Sequence, residues 1–242
     1  MKKILLLSLL ALIVFSSCRQ LFGKRIRGNG VIKTETRAVT GYNSVDVSGA
    51  MDVYIKQDSV QSIKIETDEN LLEYITVREE GGVLKIYPKD NSNLKPSGSI
   101  KVYVAGPDFR RLEASGACDY YTENKISNAE SIAIDLSGSC DANLELNAPR
   151  ITAEVTGAGK LTLKGEAKEL EVEGTGSSHF KCMEMMAEDV KVNITGSGDA
   201  EVFASVKLDV KVSGSGSVRY KGNASVSQKV AGSGSVKKVD TP

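Results

Sequence analysis

Apolar and polar residues alternate with a period of two along most of this chain, and glycines flanked by small residues punctuate the alternation. The punctuating segments are close copies of one another: VSGAMD at Gly49, ASGACD at Gly116, LSGSCD at Gly138, VTGAGK at Gly157, VEGTGS at Gly174, ITGSGD at Gly196, VSGSGS at Gly214 and VAGSGS at Gly232. From Gly116 onward the intervals are 22, 19, 17, 22, 18 and 18 residues. Two and four positions before each glycine the residues are apolar, as in Val47 and Val45 or Ile194 and Val192, with Gln228 breaking the rule. Four and six positions after it they are again mostly apolar, as in Val53 and Ile55 or Leu161 and Leu163. Strict alternation predicts strands with one buried face. Glycine in the middle predicts a bend or a close approach of backbones. A period near twenty predicts one coil per repeat, each stacked on the last. The expected fold is therefore all-β, a right-handed parallel β-helix or solenoid with about 17–22 residues per coil, most regular over residues 111–242.

Residues 28–110 predict a less regular β-rich part. Val45–Ile55, Ser62–Glu66, Ile75–Arg78, Val83–Tyr87 and Ile100–Val104 read as strands, and Glu80-Gly81-Gly82 as a hairpin turn. Asp68–Tyr74 predicts one turn of helix and Lys89–Ser99 a loop. Gly49 and Gly116 stand 67 residues apart, which fits either a separate β domain or early coils carrying insertions; the second is the preferred expectation.

The first residues predict export. MKKILLLSLLALIVFSSC has two lysines, an apolar run of about a dozen residues and small residues before Cys18, the pattern of a secretory signal and too short to span a bilayer comfortably. Phe15-Ser16-Ser17-Cys18 resembles a relaxed bacterial lipobox, which implies a signal peptide over 1–17, lipidation of Cys18 and a tether over 18–27. An ordinary signal peptide or an uncleaved anchor is the alternative. Arg19 and Gln20 are not an acidic export pair, so the expected site is the outer membrane, its periplasmic face favoured over the cell surface. Loss of residues 1–17 leaves 29 cations against 31 carboxylates, a net charge of −2, without the electrostatic footprint of a nucleic-acid binder. With no tryptophan and 5% aromatic residues, the composition fits stacked aliphatic columns better than a pocket-centred enzyme.

The columns also sort the candidate chemistry. Two positions after each anchor the side chain shares the buried parity, so Cys118 and Cys140 are expected to point inward from adjacent coils, either as stacked core thiols or as a disulfide. Cys182 lies in KCMEMMAED, which exceeds the repeat by five residues; a protruding bulge is expected there, with a soft-metal set of Cys182, Met183, Met185 and Met186 as the alternative. Three positions after the anchor the column faces solvent and holds Asp52, Asp119, Asp141, Lys160, Ser177, Asp199, Ser217 and Ser235. Asp119, Asp141 and Lys160 thus form a surface ladder, readable as calcium or sugar acid–base chemistry or as ordinary turn residues beside glycine. The sole histidine, His179, is expected at a coil edge on the surface, leaving little material for a catalytic triad. The GTGSS and GSGS segments lack the following lysine and helix of a nucleotide loop. No metal, cofactor or catalytic residue is assigned.

The order GNGVIKTETRAV, YNSVDVSGAMDVYI, a GGVLKIY hairpin and then glycine-anchored repeats resembles the putative auto-transporter adhesin, head GIN domain family of bacterial exported proteins, over roughly residues 28–236. That resemblance implies a β-helical, adhesin-like architecture and supplies no catalytic residues. The functional expectation is a non-catalytic, lipid-tethered envelope protein whose long β-surface binds a glycan, a protein or its own copies as a homodimer. A polysaccharide-active β-helix enzyme and a purely structural envelope component are the alternatives.

Overall fold

A computed structural model describes residues 24–239; the signal segment, Cys18 and the last three residues lie outside the described part. The irregular N-terminal part runs β1 (Arg25–Arg27), β2 (Ile32–Arg37), β3 (Ser44–Gly49), β4 (Asp52–Gln57), β5 (Ser62–Asp68), a 3₁₀ turn at Glu69–Tyr74, β6 (Ile75–Glu80), β7 (Val83–Pro88), β8 (Asn93–Lys95) and β9 (Lys101–Gly106). The regular part follows with β10 (Arg111–Gly116), β11 (Asp119–Thr122), β12 (Ile126–Ser127), β13 (Ser131–Gly138), β14 (Asp141–Gly157), β15 (Lys160–Gly176), β16 (His179–Gly196), β17 (Asp199–Gly214), β18 (Ser217–Lys221), β19 (Ser225–Gly232) and β20 (Ser235–Lys238). Together they form the expected β-solenoid, with about seven turns and an irregular N-terminal part.

Each coil has two faces. In β14, Ala142, Leu144, Leu146 and Ala148 point inward along one face, the chain turns at Pro149 and Arg150, and Ile151, Ala153 and Val155 point inward along the other. Gly157 then closes the coil. Its φ of +118° belongs to the region L-residues avoid, and a Cβ there would lie 2.2 Å from the carbonyl oxygen of Gly138 in the coil below. That carbonyl accepts the N–H of Ala158 at 2.9 Å. Glycine is required because the bend both reverses the backbone and lets two coils touch.

Parallel pairing stacks equivalent columns. Leu112 sits beside Ile134, Ile134 beside Ala153, and Ala153 beside Val172. Their burial is nearly complete, and each buried aliphatic side chain contributes roughly 1.5–3 kcal/mol that a lone coil would forgo. The gap between Gly49 and Gly116 does not interrupt this stack, because Gly116 pairs directly with Gly49 across β10 and β3. The inserted residues instead build one further layer on the far side of β3 and β4, where β7 pairs parallel with β3 and β9 with β4. Antiparallel strands then close that end: β6 pairs with β7, β5 with β9 and β2 with β5. Leu71, Leu72 and Ile75 are buried beneath this cap.

One anchor is corrected. In the fifth repeat Gly176, not Gly174, pairs with Gly157 and Gly196 and has a positive φ of +101°. Gly174 occupies the inward column between Val155 and Ile194, where a Cβ would lie 2.8 Å from the buried Phe180 ring. Both glycines have the same parity, so alternation alone does not distinguish them. With Gly176 in place the intervals become 22, 19, 19, 20, 18 and 18, and the five-residue excess around Cys182 disappears.

Candidate functional site

The corrected register rewrites the solvent-facing column. It runs Lys101, Asp52, Asp119, Asp141, Lys160, His179, Asp199, Ser217 and Ser235, so His179 replaces Ser177 and lies with its Nδ1 3.8 Å from Asp199 Oδ2. Asp119, Asp141 and Lys160 are consecutive in this ladder, as their spacing predicts. Their carboxylates splint the coils. Asp141 Oδ1 accepts the backbone N–H of Lys160 at 2.9 Å, and Asp199 Oδ1 accepts that of Ser217 at 2.9 Å. Burial, followed by the charge of Asp52, raises the Asp119 pKa, while the N–H of Asp141 works the other way. A carboxylate offers about four lone-pair sites, so one backbone N–H takes up part of its acceptor capacity and fixes its orientation along the stack.

Cys118 and Cys140 point inward from adjacent coils and stand here as free, buried thiols, with the N–H of Cys118 donating to Cys140 Sγ at 3.3 Å. The shared hydrogen bond and burial push the Cys118 thiol well up. Cys182 and Met185 are also enclosed, whereas Met186 is exposed, so the sulfur atoms of this segment do not face one space. With Gly176 as anchor this coil is still one residue longer than the coil before it and two longer than the coil after, and β16 takes up the difference in bulges, seen as register shifts between Thr162 and Lys164 of β15 and between Cys182 and Met186 of β16 itself. Burial, the largest influence, carries the Cys182 pKa to about 12, with a hydrogen bond to the Leu163 backbone acting the other way.

Two columns away from the carboxylate ladder's backbone, on the same outward face, the structure assembles a feature that the glycine columns did not bring forward. Tyr103, Tyr54 and Tyr121 occupy one row on β9, β4 and β11. Their rings stack with centroids 5.0 and 5.3 Å apart and interplanar angles of 18° and 22°. The cause is strand spacing: residues in register across parallel strands lie about 4.8 Å apart, close to the separation at which offset aromatic rings attract. Tyr54 and Tyr121 both stand five positions after an anchor glycine, so this pair was legible in the sequence; Tyr103 was not, because its coil has no anchor. Burial first, then Asp119 and Asp52, raises the Tyr121 pKa, and burial followed by Glu66 raises that of Tyr103. Both hydroxyls therefore remain protonated donors at neutral pH.

Beyond Tyr103 the same face continues across β5 and β2, placing Lys64 beside Tyr103 and Glu66 beside Lys101. A groove of about 510 Å³ opens here, lined by Thr34, Tyr54, Lys56, Asp58, Ser62, Lys64, Glu66, Tyr103 and Glu123 among others. Part of its charge is matched: Lys56 pairs with Asp58 at 2.8 Å, and Lys101, beside the groove, pairs with Glu66 at 3.0 Å, while Lys64 and Glu123 make no ion pair among the described residues. An aromatic border with alternating donors and acceptors can hold a neutral, hydroxyl-rich ligand, because each hydroxyl finds a charge-assisted partner and the apolar C–H surfaces find a ring.

Residues 41–224 match the family model described as "Putative auto-transporter adhesin, head GIN domain". Among solved structures, a putative adhesin from Bacteroides fragilis superposes with a TM-score of 0.84 at 21% identity, covering 88% of this chain and 100% of its own. A putative lipid binding protein from Parabacteroides distasonis gives 0.69 at 25% identity, covering 90% of this chain and 100% of its own. A putative adhesin from Parabacteroides merdae gives 0.71 at 24% identity with the same coverage. No protein of curated function matches significantly.

Proposed function

The chain belongs to the putative auto-transporter adhesin, head GIN domain family, and from that premise we propose that it is a non-catalytic envelope protein that binds glycan chains in the groove beside Tyr54 and Tyr103. The observation that carries this reading is the stacked tyrosine row bordering a groove lined by charges of both signs. An uncharged, polyhydroxylated chain suits it better than a strongly charged ligand, since the lining carries both signs of charge and two of its carboxylates, Asp58 and Glu66, already hold lysines. The catalytic alternative has less support, because Asp141, one of its two candidate carboxylates, holds the backbone N–H of the next coil and faces no enclosed cleft with a second acid among the described residues. Lipidation at Cys18 would tether the protein to the outer membrane, facing the periplasm, with the groove within reach of envelope polysaccharide.

A glycan array probed with the wild type and with the Tyr54→Ala, Tyr103→Ala double variant tests the site. The wild type is expected to bind a neutral glycan and the variant to lose that signal while keeping its circular dichroism spectrum. A wild type that binds no glycan, or a folded variant that binds as well, would remove the reading. Labelled palmitate should enter the wild type and not Cys18→Ala; incorporation into both would remove the anchor.

A further inference from the structure

The two ends of the solenoid are finished differently. At one end β5 and β6 cover the first layer with antiparallel strands. At the other, β19 pairs only with β17 and β20 only with β18 among the described residues, so one edge of each strand is unpaired. All eight residues of β19 are exposed. Val226 and Val230 are 37% and 39% exposed, whereas their column neighbours one coil earlier, Leu208 and Val212, are 0% and 1%. These valines have the inward orientation of core residues without a next coil above them.

Charge at this end is one-sided. Residues 217–239 contain Arg219, Lys221, Lys229, Lys237 and Lys238 and no carboxylate, and Asp240 is the one acidic side chain that follows them in the sequence. Arg219 pairs with Glu201 at 3.3 Å; the four lysines make no ion pair among the described residues. The column three positions before each glycine shows how this arises along the axis: Asp46, Glu113, Asp135, Glu154 and Glu173 give way to Asn193, Lys211 and Lys229. Lys229 therefore has Lys211 below it and an open position above.

We propose that the β19–β20 edge is a docking site for an acidic β-strand of a partner protein, which would add as the next layer of the solenoid. Backbone N–H and C=O groups of the open edge would supply affinity, as in other strand additions. Apolar side chains of the incoming strand would cover Val226 and Val230, and an outward carboxylate would sit beside Lys229. A second copy of this chain joined tip to tip would instead bring lysines against lysines, and like charges facing each other across strands are destabilising. The charge pattern thus selects a partner of opposite sign over self-pairing.

The test uses the full chain and a fluorescein-labelled peptide with the sequence KELEVEVTG, which alternates acidic and apolar residues so that leucine lies over Val226, valine over Val230 and a glutamate beside Lys229. Anisotropy is expected to show saturable binding, absent for a scrambled peptide of the same composition. Lys229→Glu with Lys237→Glu, both at exposed positions, is expected to weaken binding about tenfold and to restore it for a peptide whose glutamates are lysines. No saturable binding, equal binding of the scrambled peptide, or indifference to the charge reversal would overturn the proposal. So would sedimentation showing a dimer of the free chain that Val230→Asp dissolves, since the edge would then belong to a second copy.

Discussion

Asp68 fixes the junction between the N-terminal segment and the cap. Its side chain is buried, Oδ1 accepting the N–H of Gly30 at 2.7 Å and the Ser97 hydroxyl at 2.8 Å, and Oδ2 the N–H of Ser97 at 2.9 Å. Gly28 passes so close that a Cβ there would meet this carboxyl group at 2.3 Å. Burial is the largest influence on Asp68 and acts to raise its pKa, but the N–H donors of Ser97 and Gly30 and the Ser97 hydroxyl together prevail and hold it below the ordinary value. A carboxylate whose pKa is lower folded than unfolded stabilises the fold above its unfolded pKa of about 3.9 and loses that contribution as pH falls through the folded value. Asp68→Asn would place an amide donor against an N–H or hydroxyl donor and is expected to cost about 2 kcal/mol at pH 7. The cost should shrink as the pH is taken below about 4. Urea melts of both proteins at pH 7 and pH 3 check this; an equal difference at the two pH values would mean that the ionised form is not what holds the junction.

At the scale of the strand, the fifth repeat explains what alternation can and cannot encode. Inward and outward positions were readable along β13 to β18 because one face of every strand is buried, and the expected hairpin at Glu80-Gly81-Gly82 is the turn between β6 and β7. Register was less readable where two glycines of equal parity compete, as in VEGTGS. Spacing would have chosen Gly176, since it evens the intervals; what alternation hides is that Gly174 makes room for a large neighbour. A Cβ on Gly174 would lie 2.3 Å from Ser178 Oγ, 2.8 Å from Phe180 Cε2 and 3.0 Å from Ile194 Cδ1, all enclosed atoms. The antiparallel cap, and with it Tyr103 and half of the groove, was beyond the repeat pattern because its pairing partners are far apart in sequence and carry no anchor glycine. Gly174→Ala is therefore expected to destabilise by about 2 kcal/mol through overpacking. In a background of Ser178→Gly with Phe180→Leu the same change should cost less than half as much, because residues that share one space do not act additively. Denaturant melts of the four combinations measure the coupling, and strict additivity would show that Gly174 is there for some other reason.

For the molecule as a whole, about seven solenoid turns stacked at about 4.8 Å give a rod roughly 35 Å long, to which the N-terminal cap adds, and its interior coils each have two neighbours while its last coil has one. The described chain joins the rod at its capped end, where β1 pairs with β8, so a membrane tether preceding Lys24 would leave the open β19–β20 edge as the distal tip. Stability in such a stack is a sum of layer and interface contributions, and the layer lacking one interface opens first. Amides of β15, enclosed between β14 and β16 along nearly all of its length, are expected to exchange with solvent only through global unfolding. Those of β19 should exchange orders of magnitude faster, with alternate residues slower because a parallel strand directs successive N–H groups to opposite edges and only one edge is paired. Native-state hydrogen exchange on the full chain distinguishes the cases. Protection in β19 equal to that in β15 without any added partner would mean that the tip is already covered, and the gradient of stability drawn from the stack would have to be abandoned.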